Sequence, residues 1–293
     1  MRWEGNRESD NVDDRRDEGG GGFRPGGIHL GLGGIVLVLI GSWVFHVNPL
    51  TVLSALSGND SPTSDVSQEQ TGPAPVPAAS DPLVTFVKVI LASTEDVWSA
   101  IFSASGQTYQ PPRLEIFRNE IQTGCGDGQS AMGPFYCPQD REVYIDLGFY
   151  ETLHTTLGSP GDAAQAYVIA HEVGHHIQYL TGITAKVDAL RARENKVQMN
   201  ATSVRVELQA DCYAGVWAFH SQQQHHWFED NDIGQVLNAA SHIGDDALQK
   251  MAQGRVMPET FTHGTSAQRT AWFKHGLANG RVEDCDTFSA ATL

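Results

Sequence analysis

The chain has 293 residues, of which 40% are hydrophobic, and a formal net charge of −16. This length and composition fit one large or two medium globular domains. The acidic balance argues against nucleic acid as a partner and against docking on anionic lipid through a basic patch, because both need clustered lysines and arginines.

The N-terminal region divides into a polar segment and an apolar segment. Residues 1–27 carry charges of both signs, a glycine run and almost no apolar side chains, so we expect them to be disordered. The next segment, Ile28–His46, contains no Asp, Glu, Lys or Arg. Its length is close to the roughly 20 residues that cross a bilayer, which predicts a transmembrane anchor over residues 28–47.

The distribution of basic residues predicts the orientation of this anchor. Arginines precede the segment, and after Arg24 no Lys or Arg occurs until Lys88. The positive-inside rule therefore places residues 1–27 in the cytoplasm and the rest of the chain outside. A cleaved signal peptide is one alternative, with "SALSG" as its cleavage site, but its n-region would be unusually long. A buried core helix is the other alternative.

A linker and one folded domain follow the predicted anchor. Residues 48–80 include a stretch rich in Ser, Pro and Ala without helical or strand periodicity, which is typical of a linker. The sequence contains no internal repeats. We therefore expect a single domain over residues 81–293.

All four cysteines lie within this domain, at positions where an oxidising compartment would allow disulfides to persist. Several glycines and a proline separate Cys125 from Cys137 and predict a loop that folds back, so we favour this pair first. Cys212 and Cys285 then form the second pair. Four cysteines allow three connectivities, between which the sequence does not choose, and four reduced thiols are the alternative.

The stretch "AYVIAHEVGHHIQYL", residues 166–180, places titratable groups within an apolar run that is predicted to be a helix. His171 and His175 are four residues apart, so they lie on one face and can bind the same zinc ion. Glu172 lies about 100° further round the helix and can act as a general base on a metal-bound water. His176 lies off the ligand face and is predicted to be a supporting or surface histidine. The alternative is two histidines on a polar helix face.

A zinc hydrolase needs a third protein ligand and one open coordination position. The segment "ATSVRVELQADCYAGVWAF" predicts a second helix that carries Glu207 and, one turn later, Asp211. Glu207 completes a set of two histidines and one glutamate, and Asp211 can accept the free ring N–H of a ligand histidine. A solvated acidic face is the alternative, but most neighbouring residues are apolar, where unpaired carboxylates are costly.

At this point the sequence resembles a known pattern. HEVGHH followed by ELQAD is similar to the gluzincin motif H-E-x-x-H with a later E-x-x-x-D. Together with "GPFYCPQDREVYIDLGFY" and "FTHGTSAQRTAWF", it resembles a bacterial family of neutral zinc metallopeptidases over about residues 82–288, and the N-terminal anchor arrangement is also similar. The resemblance implies an α+β, zincin-like fold. A small sheet and the histidine helix form one side of a cleft, and the Glu207 helix and helices near 231–252 and 266–279 form the other.

The resemblance also implies roles for two residues near the C-terminus. "THGTSAQR" is similar to the T-H-P-x-x-x-x-R element of membrane-associated gluzincins. His263 would face the substrate oxyanion and Arg269 would pair with carboxylates of the site. Gly264 replaces the proline, so the local turn is expected to differ. A helix start capped by Thr265 or Ser266 is a compatible interpretation.

The segment "REVYIDLGFY", residues 141–150, is predicted to be a strand. In zincin folds a strand in this position lines the cleft and binds an extended peptide through main-chain hydrogen bonds. An interior strand is the alternative.

The function that these observations predict is a membrane-anchored, zinc-dependent endopeptidase that hydrolyses peptide bonds through a zinc-bound water activated by Glu172. The resemblance places it in the bacterial inner membrane, with a periplasmic or extracytoplasmic catalytic domain and a peptide or protein as substrate. One alternative is a tethered, zinc-stabilised binding or chaperone-like module without catalysis. Another is hydrolysis of a non-peptide amide or ester of the cell envelope.

Overall fold

The computed structural model of the chain describes residues 1–16, 81–130, 133–155 and 161–293. The chain divides into two units, of which one comprises Met1–Gly19 together with Pro82–Leu293 and the other comprises Gly20–Asp81.

The N-terminal segment is part of the folded unit. Its strand β1, Val12–Asp14, pairs in parallel with strand β2, Arg113–Phe117. The indole N–H of Trp3 donates to Asp162 Oδ2 at 2.6 Å, and the Trp3 ring packs edge-on against Phe86 with 5.3 Å between centroids. These contacts place the N-terminal segment against two helices that lie far along the chain.

The prediction that residues 1–27 are disordered is therefore wrong for residues 1–16. The buried carboxylate of Glu95 shows why these polar residues are ordered. Ser9 and Asn11 donate hydrogen bonds to its Oε1 atom, and Arg7 pairs with its Oε2 atom at 3.0 Å. Composition alone misses this arrangement, because the partners lie on the other side of a long stretch of sequence.

The membrane topology predicted from the sequence also needs correction. The predicted anchor, 28–47, and linker, 48–80, lie outside the described residues. No helix among the described residues combines the length and the apolar character that a bilayer crossing requires. Strands β1 and β2 lie in one sheet, whereas a single membrane crossing between them would place them on opposite sides of the bilayer. The predicted single-pass localisation, with a cytoplasmic N-terminus and an external catalytic domain, is therefore wrong.

Among the described residues, the main sheet has four strands in the order β1, β2, β6 (Glu142–Asp146) and β5 (Phe135–Cys137). Strands β1, β2 and β6 are parallel, and β5 runs antiparallel to β6. A separate antiparallel hairpin consists of β3, Glu120–Thr123, and β4, Gly126–Gln129. A disulfide between Cys125, in the hairpin turn, and Cys137 links the hairpin to the sheet.

Strand β6 is an interior strand. Tyr144 lies opposite Glu115 of β2 on one side and Phe135 of β5 on the other. The expectation that this strand binds an extended peptide is therefore wrong, because both of its edges are already paired. The predicted strand also ends earlier than residue 150, and helix α2, Gly148–Thr155, follows it.

The rest of the unit is mainly helical, which confirms a mixed α+β class. The helices of the described residues, besides α2, are α1 Pro82–Ala104, α3 Asp162–Leu180, α4 Ile183–Arg191, α5 Lys196–His225, α6 Asp232–His242, α7 Asp245–Gln253 and α8 Ser266–Asn279, with short 3₁₀ helices at Pro258–Thr260 and Val282–Cys285. The helix expected near 231–252 is present as two helices, α6 and α7.

The helices begin for different physical reasons. Helix α5 starts with a capping box between Asn195 and Gln198, and α8 starts with one between Thr265 and Gln268. The cap predicted at Thr265 is thus confirmed. Helix α3 has no side-chain cap and is buried along most of its length. Its stability therefore depends on packing more than on its own end signals.

Helices α3, α5 and α8 approach one another closely at glycines. A Cβ atom on Gly174 of α3 would lie 3.0 Å from the carbonyl oxygen of Ala210 in α5. A Cβ atom on Gly276 of α8 would lie 2.0 Å from the carbonyl oxygen of Cys212 in α5. Cys212 also forms a disulfide with Cys285, so both pairs favoured by the sequence are present. This packing sets the distance between the helices that carry the candidate site.

Candidate metal centre

Three side chains from α3 and α5 converge on one point. His171, His175 and Glu207 each offer a ligand atom, and these atoms lie within 4.8 Å of one another. Glu207 Oε2 is 3.2 Å from His171 Nε2, and its Oε1 is 3.6 Å from His175 Nε2. Tetrahedral zinc with bonds of about 2.0–2.1 Å places its ligand atoms about 3.3 Å apart. The three donors therefore fit one zinc ion.

Asp211 holds His171 in the orientation that this geometry needs. The Asp211 carboxylate is fully buried and accepts a hydrogen bond from His171 Nδ1 at 2.9 Å. Arg269 donates to both carboxylate oxygens at 2.9 Å, and the Tyr167 hydroxyl donates to Oδ1. Since Nδ1 of His171 points at Asp211, its Nε2 points at Glu207. The buried charge of Asp211 is compensated by these donors.

The same contacts shift the pKa values of the cluster. Burial by itself lowers the pKa of His171, but the Asp211 and Glu207 carboxylates outweigh it and raise that pKa to about 10. Burial opposes ionisation of Glu207, yet His175 and His171 hold the pKa of Glu207 below its ordinary value. Without metal, the cluster therefore carries a proton on His171, which a bound cation must displace.

The ring of His175 has a neutral partner. Its Nδ1 atom lies 2.9 Å from the side-chain oxygen of Gln178, one helical turn further along α3. Burial lowers the pKa of His175, which favours the neutral imidazole that metals bind.

Glu172 is a buried carboxyl group beside the cluster. Only 7% of the residue is exposed, and in the described part of the chain its side chain makes no hydrogen bond. Burial, followed by repulsion from Glu207, raises the pKa of Glu172 to about 7, although His171 and other cations oppose the shift. A carboxyl group with this pKa can both accept and return a proton near neutral pH.

His263 is held by Asp245, the first residue of helix α7. Asp245 Oδ2 accepts backbone N–H groups from Thr262, His263 and Gly264 at 2.6–3.0 Å, and its Oδ1 is 3.3 Å from His263 Nδ1. Burial acts against protonation, but Asp245 and Glu207 raise the pKa of His263 above its ordinary value. The His263 side chain is half exposed, so it remains accessible.

The backbone at Gly264 explains why glycine replaces the proline of the resembled motif. Gly264 has φ of 88°, in the left-handed region that proline cannot adopt. A Cβ atom there would also lie 3.2 Å from Val204 Cγ1. The turn therefore differs from the proline form, as expected.

His176 supports the fold beside the cluster. It is 1% exposed, its Nε2 atom lies 2.7 Å from the carbonyl oxygen of Gln110, and its Nδ1 atom lies 2.9 Å from the Tyr136 hydroxyl. Burial lowers the pKa of His176 to about 4, so the ring is neutral. It ties α3 to strand β5.

Comparison with known proteins identifies the family. Residues 1–288 match the family described as "Putative neutral zinc metallopeptidase". The chain belongs to this family. The matched region begins at residue 1, so it includes residues 1–16. This agrees with the structure, in which these residues are part of the folded unit.

Two relatives of this family member cover most of its chain. It is 49% identical to the "Uncharacterized protein YpfJ" of Escherichia coli K12 over 98% of this chain and 99% of the relative. It is 40% identical to the "Uncharacterized protein Rv2575" of Mycobacterium tuberculosis H37Rv over 71% of this chain and 73% of the relative. No solved structure matches the chain.

In this family member the structure brings together His171, His175, Glu207, Asp211 and Arg269, and Glu172 and His263 lie within the electrostatic reach of the cluster. The polar residues that sequence reasoning missed are Tyr167, Gln178, Gln209 and Asp245. Gln178 could have been found from its i, i+3 spacing to His175. Tyr167 likewise lies four residues before His171. Asp245 and Gln209 carry no such local signal.

Proposed function

We propose that this protein is a zinc-dependent endopeptidase of zincin-like fold, with a peptide or protein as substrate and not a nucleic acid. The observation that carries this proposal is the position of Glu172, a buried carboxyl group with a pKa of about 7 next to the ligand set of His171, His175 and Glu207. A zinc site with a purely structural role needs no such proton acceptor.

His171, His175 and Glu207 would hold the zinc ion. When bound, zinc supplies Lewis acidity, which polarises a substrate carbonyl and makes water more acidic. Two imidazoles and one carboxylate form the donor set that catalytic zinc sites use, with a further position open to water or substrate.

Glu172 acts as the general base and then as the general acid. Its carboxylate accepts the proton of the water that attacks the peptide carbonyl. It then delivers the proton to the leaving nitrogen. Its pKa of about 7 suits both transfers, because neither protonation state is strongly favoured at neutral pH.

His263 stabilises the charge that develops on the carbonyl oxygen. Its raised pKa favours the imidazolium form, which can donate a hydrogen bond to that oxygen. Asp245 Oδ1 lies next to Nδ1 of the same ring, which leaves Nε2 to face the substrate. Arg269 acts further away, because its Nε and Nη2 atoms donate to Asp211, which in turn orients His171.

Strand β5 offers a main-chain site for an extended substrate. In the described sheet it is an edge strand, paired only with β6. The link from His176 to Tyr136 holds this edge against helix α3, which carries Glu172. A peptide that added to this edge would run close to the metal helix, by the general route of β-augmentation.

The test is a Glu172→Gln substitution, assayed on a fluorogenic peptide library with and without chelator. We expect unchanged zinc content, because Glu172 is not a ligand, and cleavage slowed by about 10²–10⁴-fold or more. Glu283→Gln, at a side chain that is 78% exposed, is the matched control and should cleave normally. Glu207→Ala should instead lose zinc.

Two results would contradict the proposal. One is a Glu172→Gln protein that cleaves at the wild-type rate, and the other is wild-type cleavage that survives chelation. A wild-type protein that binds zinc and cleaves no peptide of the library would favour the non-catalytic binding module.

A further inference from the structure

Two buried glutamines lie between His175 and the C-terminal segment of the chain. Gln178 of helix α3 is 1% exposed, and Gln209 of helix α5 is 4% exposed. Neither belongs to the zinc-binding motif. Buried amide groups of this kind are costly unless each polar atom has a partner.

Their contacts form a continuous chain. Gln209 Nε2 lies 2.9 Å from the carbonyl oxygen of Cys285. Gln178 Nε2 lies 3.1 Å from Gln209 Oε1 and 2.7 Å from the carbonyl oxygen of Val206. Gln178 Oε1 lies 2.9 Å from His175 Nδ1.

The two backbone carbonyls set the direction of every hydrogen bond in this chain. A carbonyl oxygen only accepts, so the Cys285 carbonyl requires the NH₂ group of Gln209, whose oxygen then faces Gln178. That oxygen and the Val206 carbonyl both require the NH₂ group of Gln178. The remaining oxygen of Gln178 faces His175 and can only accept, so Nδ1 of His175 carries the proton.

This polarity leaves Nε2 of the neutral His175 ring without a proton. The Nε2 atom lies 3.6 Å from Glu207 Oε1, on the side where the candidate ligands converge. We propose that Gln178 and Gln209 are positioning residues of the zinc site, which hold His175 as the Nδ1–H tautomer and direct its Nε2 lone pair at the metal. This inference rests on the zinc site of the proposed function.

The two candidate histidine ligands are thereby supported in different ways. His171 is held by the buried charge of Asp211, whereas His175 is held by neutral amides that end on main-chain oxygens. The far end is itself anchored, because Cys285 is disulfide-bonded to Cys212, the neighbour of Asp211 in α5. Partners of this kind typically change metal affinity by about 10–100-fold when they are removed.

The test compares Gln178→Leu with Gln178→Glu, using zinc competition against a chromogenic chelator. Leucine removes the acceptor for His175, so we expect zinc binding about 10–100-fold weaker. Glutamate restores an acceptor but cannot donate to Val206 or Gln209. We therefore expect Gln178→Glu to recover most of the zinc affinity that Gln178→Leu loses. Its urea unfolding midpoint should nevertheless fall at least as far as that of Gln178→Leu.

Two further variants complete the experiment. Gln235→Leu is the control for replacing a partly buried glutamine away from the site, since its Oε1 atom has no partner among the described residues, and it should bind zinc normally. Gln209→Leu removes the far support without touching His175. We expect a measurable but smaller loss, of roughly 10-fold, because the Val206 carbonyl still orients Gln178. This variant also provides a test if Gln178→Leu does not fold.

Wild-type zinc affinity in Gln178→Leu would overturn the inference, and so would a Gln178→Glu protein that binds zinc as weakly as Gln178→Leu. The latter result would mean that an acceptor for His175 Nδ1 is not what sustains zinc affinity. If Gln178→Leu does not fold, wild-type affinity in Gln209→Leu would overturn the role of the chain. Failure of the wild-type protein to bind zinc would instead overturn the proposed function together with this inference.

Discussion

At the residue scale, the candidate centre is an alternation of cationic and anionic groups that ends on a neutral imidazole. Arg269, Asp211, His171, Glu207 and His175 follow one another in contact. Burial opposes ionisation of Asp211, but Arg269 and His171 hold its pKa below the ordinary value. Removing one member therefore leaves a neighbour charged and unpaired in the interior, which costs more than the lost contact itself.

Asp211→Asn tests this alternation. The substitution keeps the shape of the side chain but leaves the Arg269 guanidinium without a carboxylate. We expect the free energy of unfolding to fall by about 3–5 kcal/mol, and zinc affinity to fall by about 10–100-fold. Urea unfolding and zinc competition measure the two effects. Asp188→Asn, at a side chain that is 60% exposed, should change neither, and an Asp211→Asn protein of normal stability would contradict the argument.

The pair of His263 and Asp245 predicts a pH-dependent contribution to stability. The pKa of His263 is raised in the folded protein, so the stability that this pair contributes is complete below pH of about 6.5, the ordinary histidine value, as long as Asp245 stays ionised. It is lost as the pH rises through the raised pKa. A double-mutant cycle with His263→Asn and Asp245→Asn should therefore give a larger coupling free energy at pH 6 than at pH 9. Equal coupling at both values would show that His263 is not charged.

At the element scale, the site depends on how closely three helices pack. Helix α3 supplies both histidines, α5 supplies Glu207, and α8 supplies Arg269. Gly174 allows α3 to lie against α5, and Gly276 allows α8 to lie against α5. Glycines at these two crossings set the interaxial distances between the helices, because a side chain there would meet the backbone of the facing helix.

Gly276→Ala is expected to separate α8 from α5. The new Cβ atom would lie 2.0 Å from the carbonyl oxygen of Cys212, which is backbone and cannot rotate away. We expect the free energy of unfolding to fall by about 3 kcal/mol or more, at the upper end of overpacking costs. Gly234→Ala, on an exposed position of α6, should be neutral or stabilising. Similar unfolding midpoints for the two variants would contradict the close approach.

At the scale of the whole molecule, the folded unit is assembled from two separated stretches of sequence. Residues 1–16 supply strand β1 and the partners of Glu95, and residues 81–293 supply the rest. The candidate centre lies entirely in the second stretch. The first stretch reaches it indirectly, because Trp3 is hydrogen-bonded to Asp162, the first residue of the histidine helix α3.

Trp3→Ala tests whether the N-terminal stretch stabilises the whole unit. The substitution removes the contact with Phe86 and the hydrogen bond to Asp162. We expect the free energy of unfolding to fall by about 2–3 kcal/mol, less than for a fully buried tryptophan. Urea unfolding followed by far-UV circular dichroism measures it, with the exposed Glu4→Ala as control. A single transition at the wild-type midpoint in Trp3→Ala would contradict this role.

The sequence by itself determined those features that depend on residues close together in the chain. The four-residue spacing of His171 and His175 needs only helix geometry to place both rings on one face. Glu207 and Asp211 follow the same rule on a second helix. The start of α8 at Thr265 is likewise a matter of neighbouring residues, and the α+β class and the family follow from patterns that extend along the chain.

The tertiary structure decided what depends on contacts between distant segments. It ordered residues 1–16, whose composition predicts disorder, by pairing Val12–Asp14 into the sheet, and it made β6 an interior strand by pairing both of its edges. It also joined Gln178 to Gln209 and His263 to Asp245. No local pattern encodes these partners, because each depends on which surfaces become buried together. Burial also sets the pKa of Glu172, the property on which its proposed role depends.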